Sequence, residues 1–318
     1  ENASDKIPVM SLLADGYAFY GKDADGQYSV LQACTDDVRQ LTDVMVKEHS
    51  HVLDETGVCS CGLVAVAKDN EDNYYGSLQE ALHAVAGNGT VTLVTNANEN
   101  VTFAEDGKSV TLTMGGHTLT APDNSASALT VSNGTLTFAD DATIINPETS
   151  NPYDRENLEP AITISGGKLV FTGDLTAQGG TFNDGANRPN QKPAVYATGG
   201  ELDFQKGLDL KGGLMITGSA KLTNGLTQGT FYVVVGIDAR RLSVEGSSNY
   251  KHVGALLADG YAFVDKEDRN TFRCANASYK FWTGDVTIVA HEHTWGPAGE
   301  LYECTVCGKS CAHEGGYE

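Results

Sequence analysis

From residue 90 to residue 235, apolar and polar residues alternate, break at Gly or Asn, and alternate again. Ala128 to Phe138 reads Ala-Leu-Thr-Val-Ser-Asn-Gly-Thr-Leu-Thr-Phe. Ala161 to Phe171 and Ala194 to Phe204 repeat that pattern at a spacing of 33 residues. Val110 to His117 is an earlier partial copy, and Leu214 to Leu222 a later, looser one. Period-two alternation is the signature of a strand with one buried face. Glycine at the break lets the chain turn sharply between two such strands. Stacking the copies puts Leu129, Ile162 and Val195 in one column and Phe138, Phe171 and Phe204 in another. A single copy cannot bury its apolar face alone, so several must stack. The pattern predicts an all-β chain built as a right-handed parallel β-helix, a solenoid. A β-sandwich is the alternative, but it gives no reason for a spacing of 33.

An open solenoid end invites further strands, so a cap is expected. Ser77 followed by Glu80 reads as a capping box. Leu78, Ala81, Leu82 and Val85 form an apolar helical stripe behind it, and Gly87 is a natural stop. This N-terminal capping helix should plug the first turn of the solenoid, with His83 on its surface. At the far end, the Phe231 to Val235 run should close the body as a strand.

A longer repeat frames the shorter one. Leu12-Leu13-Ala14-Asp15-Gly16-Tyr17-Ala18-Phe19 returns as Leu256-Leu257-Ala258-Asp259-Gly260-Tyr261-Ala262-Phe263. Cys34 returns as Cys274, and His49-Ser50-His51 as His291-Glu292-His293. Features recurring in order at a spacing near 242 residues imply a repeating domain rather than a solenoid turn. The expected organisation is the tail of a preceding unit (1–48) and a His/Cys knuckle linker (49–72). Next come the helix, β-helix and closing strands (73–290), a second knuckle (291–310) and the start of a third (311–318). Asp25-Gly26 reads as a hairpin turn. The Asp23-to-Gly26 stretch resembles a calcium loop only faintly, since the remaining ligands are missing.

Composition narrows the function. Lys and Arg number 21 against 42 Asp and Glu in 318 residues, a net charge of −21. Such a chain repels nucleic acid and anionic lipid, so neither is an expected partner. No apolar run is long enough to span a bilayer, so no membrane insertion by this segment is expected. Repeats, acidity and richness in Gly, Thr and Asn suggest a secreted protein on a bacterial cell surface.

Cysteine and histidine are clustered. His49, His51, Cys59 and Cys61 form one group, and His291, His293, Cys304 and Cys307 another. Cys311 and His313 begin a third. Ligands at i and i+2 on extended chain point to one side, and a Cys-x-x-Cys-Gly knuckle aims two thiolates at one point. Four such ligands suit tetrahedral zinc, and a site filled by four protein ligands is structural rather than catalytic. Small zinc-knuckle-like β modules should therefore flank the solenoid and pin consecutive units together. Disulfides in an oxidising compartment are the rival reading. Cys34 and Cys274 complicate both readings, since each precedes its cluster at a similar distance and could replace a histidine as ligand or sit buried as a thiol.

Two insertions enter successive 33-residue copies at the same phase. One runs from Asn146 to Pro160 and holds Tyr153, Asp154, Arg155 and Glu156. The other runs from Asn183 to Pro193 and holds Asn187, Arg188, Asn190 and Lys192. A shorter one runs from Ala121 to Ser127. Equal phase stacks the loops on one edge, where repeat proteins commonly bind. Tyr and Arg are frequent interface anchors, and these are rare basic points on an acidic chain. Ordinary solvated loops are the plainer reading.

The Tyr75-to-Leu82 segment, Ser109 to Leu119, the Ser-Gly-Gly-x-Leu turns, the long-repeat motif and the His/Cys knuckles carry a resemblance. Together they resemble large tandem-repeat surface proteins of gut Firmicutes with pectin-lyase-like units. Some gut-commensal proteins of this general style bind immunoglobulin as superantigens, so the resemblance makes an immunoglobulin the leading partner. The expected function is a non-enzymatic binding module that recognises a host protein. Alternatives are a glycan-binding adhesin, a passive spacer or a polysaccharide lyase or hydrolase. The enzyme alternative is thin. Asp140-Asp141 is an adjacent acidic pair in the solenoid region, but strand neighbours face opposite sides, so at most one could join a site. His117 has no evident catalytic partner.

Overall fold

A computed structural model of the chain describes residues 17–22, 27–31, 43–50, 52–54, 57–62, 64–149, 158–182, 190–216, 218–232, 242–246, 249–251, 256–268, 286–298 and 301–304. Among them strands dominate, and the one α-helix is Leu78–Ala84. The strands form a 13-stranded sheet, an 8-stranded sheet, two 3-stranded sheets and one 2-stranded sheet. No described helix is long and apolar enough to cross a membrane.

The 33-residue columns form as the alternation demands. Leu129 pairs with Ile162 and Ile162 with Val195, in parallel register. Leu136, Leu169 and Leu202 are aligned in the same way. The rings of Phe138 and Phe171 stack at 4.6 Å, and those of Phe171 and Phe204 at 5.6 Å. A second parallel ladder, Ala142 to Leu175 to Leu208, belongs to the 8-stranded sheet. Both ladders feed one apolar core. Burying each large side chain there contributes roughly 1.5–3 kcal/mol. At the bends, Gly167 and Gly200 have φ of 67° and 75°. A Cβ on Gly167 would meet the Gly134 carbonyl of the copy beneath it.

The expected right-handed parallel β-helix requires correction. The sheets are open and mixed, and none closes into a uniform solenoid. The constant step holds from Leu129 to Lys211. Val195 then pairs with Leu214, 19 residues on, and Leu214 with Leu242, 28 residues on. A 19-residue step has no room for an insertion like those before it. Both ends turn antiparallel. Ala67–Asp69 pairs antiparallel with Tyr74–Tyr75 and Thr90–Leu93. Leu242–Gly246 pairs so with Asn249–Lys251, and Thr230–Tyr232 with Val286–Ala290. Reversing strand direction ends each parallel ladder, because every further parallel step needs another long crossover. Thr230–Tyr232 closes the body in this way, as a strand parallel to Leu208–Lys211 on its other side, while Val233 to Val235 of the expected run lie outside the described residues.

The helix forms where the capping signal places it. Ser77 accepts a bond from the Glu80 N–H at 3.1 Å. Leu78, Ala81 and Leu82 are buried in the main core. Glu99 accepts bonds from the Leu78 and Gln79 N–H groups at 2.7 and 3.0 Å, a distant carboxylate completing the N-terminus. The helix ends at Ala84, where Val85 takes an extended ψ, rather than at Gly87. His83 is on the surface beside Glu105, at 2.8 Å. That contact holds the Glu105 carboxyl below its usual range.

Candidate metal centres and the insertion edge

The long repeat is a structural repeat. Tyr17–Lys22 pairs antiparallel with Val44–Glu48, and Tyr261–Asp265 with Val286–Ala290. The register is the same in both: Tyr17 faces Glu48 and Tyr261 faces Ala290, each the residue before a His-x-His pair. Four residues after the first histidine, the chain again meets a cysteine. Leu53 forms an antiparallel bridge with Cys59, and Trp295 pairs with Cys304. Cys59 and Cys304 are therefore equivalent positions, although the connection between the paired residues is longer in the second copy. The chain also reverses between Lys22 and Tyr28, which pair antiparallel. Asp23 to Gly26 themselves lie outside the described residues.

Two His/Cys groups result. His49, Cys59 and Cys61 bring their ligand atoms within 4.8 Å of one another, as do His291, His293 and Cys304. His49 Nε2 lies 3.1 Å from Cys59 Sγ, and His291 Nε2 lies 3.2 Å from Cys304 Sγ. The cysteines are buried while the histidines are half-buried. The His291 and His293 rings meet edge to face at 5.0 Å. An open depression lined by Gly260, Ala290, His291, Glu292 and His293 borders the second group, so its imidazoles lie nearer solvent than its thiol. No disulfide joins Cys59 to Cys61. His51 and Cys307, the fourth members expected from the sequence, lie outside the described residues, as do Cys34, Cys274, Cys311 and His313.

Each group could hold a metal ion. On tetrahedral zinc, ligand atoms stand about 3.3–3.8 Å apart, which the close N···S pairs nearly meet already. Imidazole and thiolate donors suit zinc and other soft or borderline metals, and are poor ligands for calcium or magnesium. The first group has an outer partner that the sequence did not advertise. Tyr20 Oη lies 3.1 Å from His49 Nδ1. Were Nε2 to bind a metal, Nδ1 would carry the proton and could donate to that oxygen, which would fix the ring. Val264 stands at the equivalent place in the second copy, where no such bond can form. Behind each group sits the alanine of the repeated motif. Ala18 packs against Cys59 and Cys61, and Ala262 against Cys304.

The structure describes the insertion edge at its base. Tyr153, Asp154, Arg155, Glu156, Asn187 and Arg188 lie outside the described residues. Asn190 lies in the strand Asn190–Gln191, and Lys192 is half-buried with its N–H donating to the Gly180 carbonyl. A 3-stranded sheet ties the two insertions together at their roots: Glu148–Thr149, Thr181–Phe182 and Asn190–Gln191. Leu158 and Phe182 are buried beneath it. The fully buried Asn146 donates its amide to the carbonyls of Ala126, Glu159 and Pro160, at 3.0, 3.1 and 3.2 Å. One copy later its place is taken by Gly179, where a side chain would strike the Lys192 and Pro193 carbonyls. All three insertions thus start from one clamped edge, as their equal phase predicts.

The acidic pair weighed for catalysis is occupied by the backbone. Asp140 accepts bonds from the Met114 and Gly115 N–H groups, at 2.7 and 2.8 Å. Asp141 accepts from the Asp174 N–H, and Asp174 in turn from the Gly207 N–H. These carboxylates bind successive turns of the body together. His117 sits in the turn after Gly116, its N–H donating to the Met114 carbonyl. No family model, no curated protein and no solved structure matches the chain.

Proposed function

We propose that the chain is a non-enzymatic unit of a repetitive extracellular protein in which structural zinc, held by the His/Cys groups, pins the joint between consecutive units. One observation carries this reading: two segments far apart in sequence each bring histidine and cysteine ligand atoms to one point, after strand pairs of the same register. Building a His/Cys group twice on one repeated motif suits a constructional element. His49, Cys59 and Cys61 with His51 hold the first ion; His291, His293 and Cys304 with Cys307 hold the second. Zinc supplies a cross-link there, and the body supplies the span between cross-links. The test is chelation followed by hydrogen exchange. Protection should fall in residues 43–62 and 286–304 and persist in residues 90–230; unchanged exchange after complete metal removal would refute the cross-link.

The clamped insertion edge favours a second role for the same unit, that of a binder. The roots of the insertions share a common sheet and a buried asparagine. Tyr153, Arg155 and Arg188 are the anchors proposed, with Asp154, Glu156, Asn187, Asn190 and Lys192 around them. The resemblance noted above makes a host immunoglobulin the first partner to try, and a glycan the second. Capture of immunoglobulin chains from intestinal secretions, lost on Tyr153→Ala with Arg188→Ala, supports the edge; capture unaffected by that pair removes it.

A further inference from the structure

The two strand pairs share a register but differ in what covers them. On one face of the second pair, Phe263 lies opposite Ile288, with Val286 beside them. All three are buried in the main core. That pair closes the parallel body: the Ile288 N–H donates to the Gly229 carbonyl, and Phe231 pairs with Val286. On the matching face of the first pair, Phe19 lies opposite Val46, and Gly21 opposite Val44. There Val46 is 52% exposed, whereas its counterpart Ile288 is 8% exposed. Among the described residues, Val44–Glu48 is the outer strand of its small sheet. Its counterpart Val286–Ala290 has a neighbour on both sides. The opposite face is filled in both copies by the packing of Ala18 or Ala262 on cysteine. Among the described residues, one face of the first pair is therefore complete, while the other is covered by Leu31 at Gly21 and left open at Val46, where the same design is covered in the second pair.

We propose that the Phe19–Val46 face, with the open edge of Val44–Glu48, is a docking surface for the closing end of another copy of the parallel body. The occupant is the strand and core end equivalent to Gly229 to Tyr232, held as Val286 and Ile288 hold it. This deepens the reading of a tandem unit and rests on it. The joint between units is then a continuous sheet and a shared apolar core, with the metal on its far side. An apolar face that a neighbour fills needs no charge, whereas an edge left to solvent would be expected to carry inward charges against chance pairing. Val44 and Val46 carry none, and Glu48, next on the same face, brings a charge at the strand's end.

The test is a two-unit chain, residues 1–255 followed directly by residues 12–318, with Val46→Asp placed in either copy. In the inner copy the substitution should lower one melting transition by about 5 °C or more, as a buried charge does. In the outer copy, as in the parent chain, it should shift nothing measurable. Equal and small effects at both positions would overturn the proposal. So would a two-unit chain that fails to fold where the parent folds, because the first pair would then be unable to close a body. Metal content is measured on each variant. Missing metal with the expected Val46 asymmetry counts against zinc and leaves the docking surface standing.

Discussion

The two strand pairs are the same piece of chain in two surroundings. Both put His-x-His after an antiparallel strand and a cysteine opposite the residue four positions later. What differs is the other face, open around Val46 and sealed around Ile288. The register and the His/Cys group therefore belong to the motif itself, while burial of the apolar face belongs to whatever body stands beside it. Sheet pairing explains the separation. Successive residues point to opposite faces, so one strand pair can serve a metal on one side and a core on the other.

The largest expected effect breaks the sealed face. Ile288→Asp puts a carboxylate into the closing end of the core and should cost about 3–5 kcal/mol. Val46→Asp in this chain should change stability by no more than about 0.5 kcal/mol. Denaturant unfolding of the two variants measures the contrast directly. Next is the metal contrast. Cys304→Ser should lose one bound ion and loosen the end of the body, lowering the main transition. Cys59→Ser should lose one ion and leave that transition nearly unchanged. Metal analysis alongside calorimetry reads both.

Tyr20→Phe sharpens the comparison of the two groups. It removes the oxygen beside His49 Nδ1 and should weaken metal at the first group by about 10–100-fold, leaving the second untouched. Competition with a chromophoric chelator resolves two ions of unequal affinity. A smaller effect lies at the start of the body. Burial pushes the Asp69 carboxyl up, but bonds from Asn73, Tyr75 and Glu71 outweigh it and hold it below the usual range. Its partner Tyr75 is pushed up to about 12, by burial first and then by Asp69. A depressed carboxyl adds stability above its unfolded pKa of about 3.9 and loses it as pH falls through the folded value. Asp69→Asn should cost about 1 kcal/mol at pH 7 and flatten the decline below about pH 4. Melting temperature against pH for both proteins checks the sign.

Much of this was legible in the chain. The 33-residue spacing placed Phe138, Phe171 and Phe204 in one column because period-two burial is a local property. Ser77 marked the helix start because a cap is local too. The long repeat and the clustered ligands marked both His/Cys groups. The ends of the body were not legible. Antiparallel closure depends on Val286 meeting Phe231, a contact between distant segments that alternation cannot rank. The shorter 19-residue step after Val195 was equally hidden, since Leu214 to Leu222 only loosely repeats the pattern. Glu99 at the helix, Tyr20 at His49 and Asn146 under the insertions act on partners 13 to 29 residues away. A paired asparagine three-carbonyl clamp has no sequence signature. The only hint was position: Asn146 stands where the next copy has Gly179.

The central claim is that the repeated motif makes two equivalent metal-held joints. Native mass spectrometry of the chain purified with reductant, joined to X-ray absorption at the zinc edge, tests it most directly. The account predicts two zinc ions per chain, each with mixed nitrogen and sulfur ligands at about 2.0 and 2.3 Å. A chain that carries no metal when fully reduced, and whose cysteines pair as disulfides on oxidation without loss of structure, would contradict it.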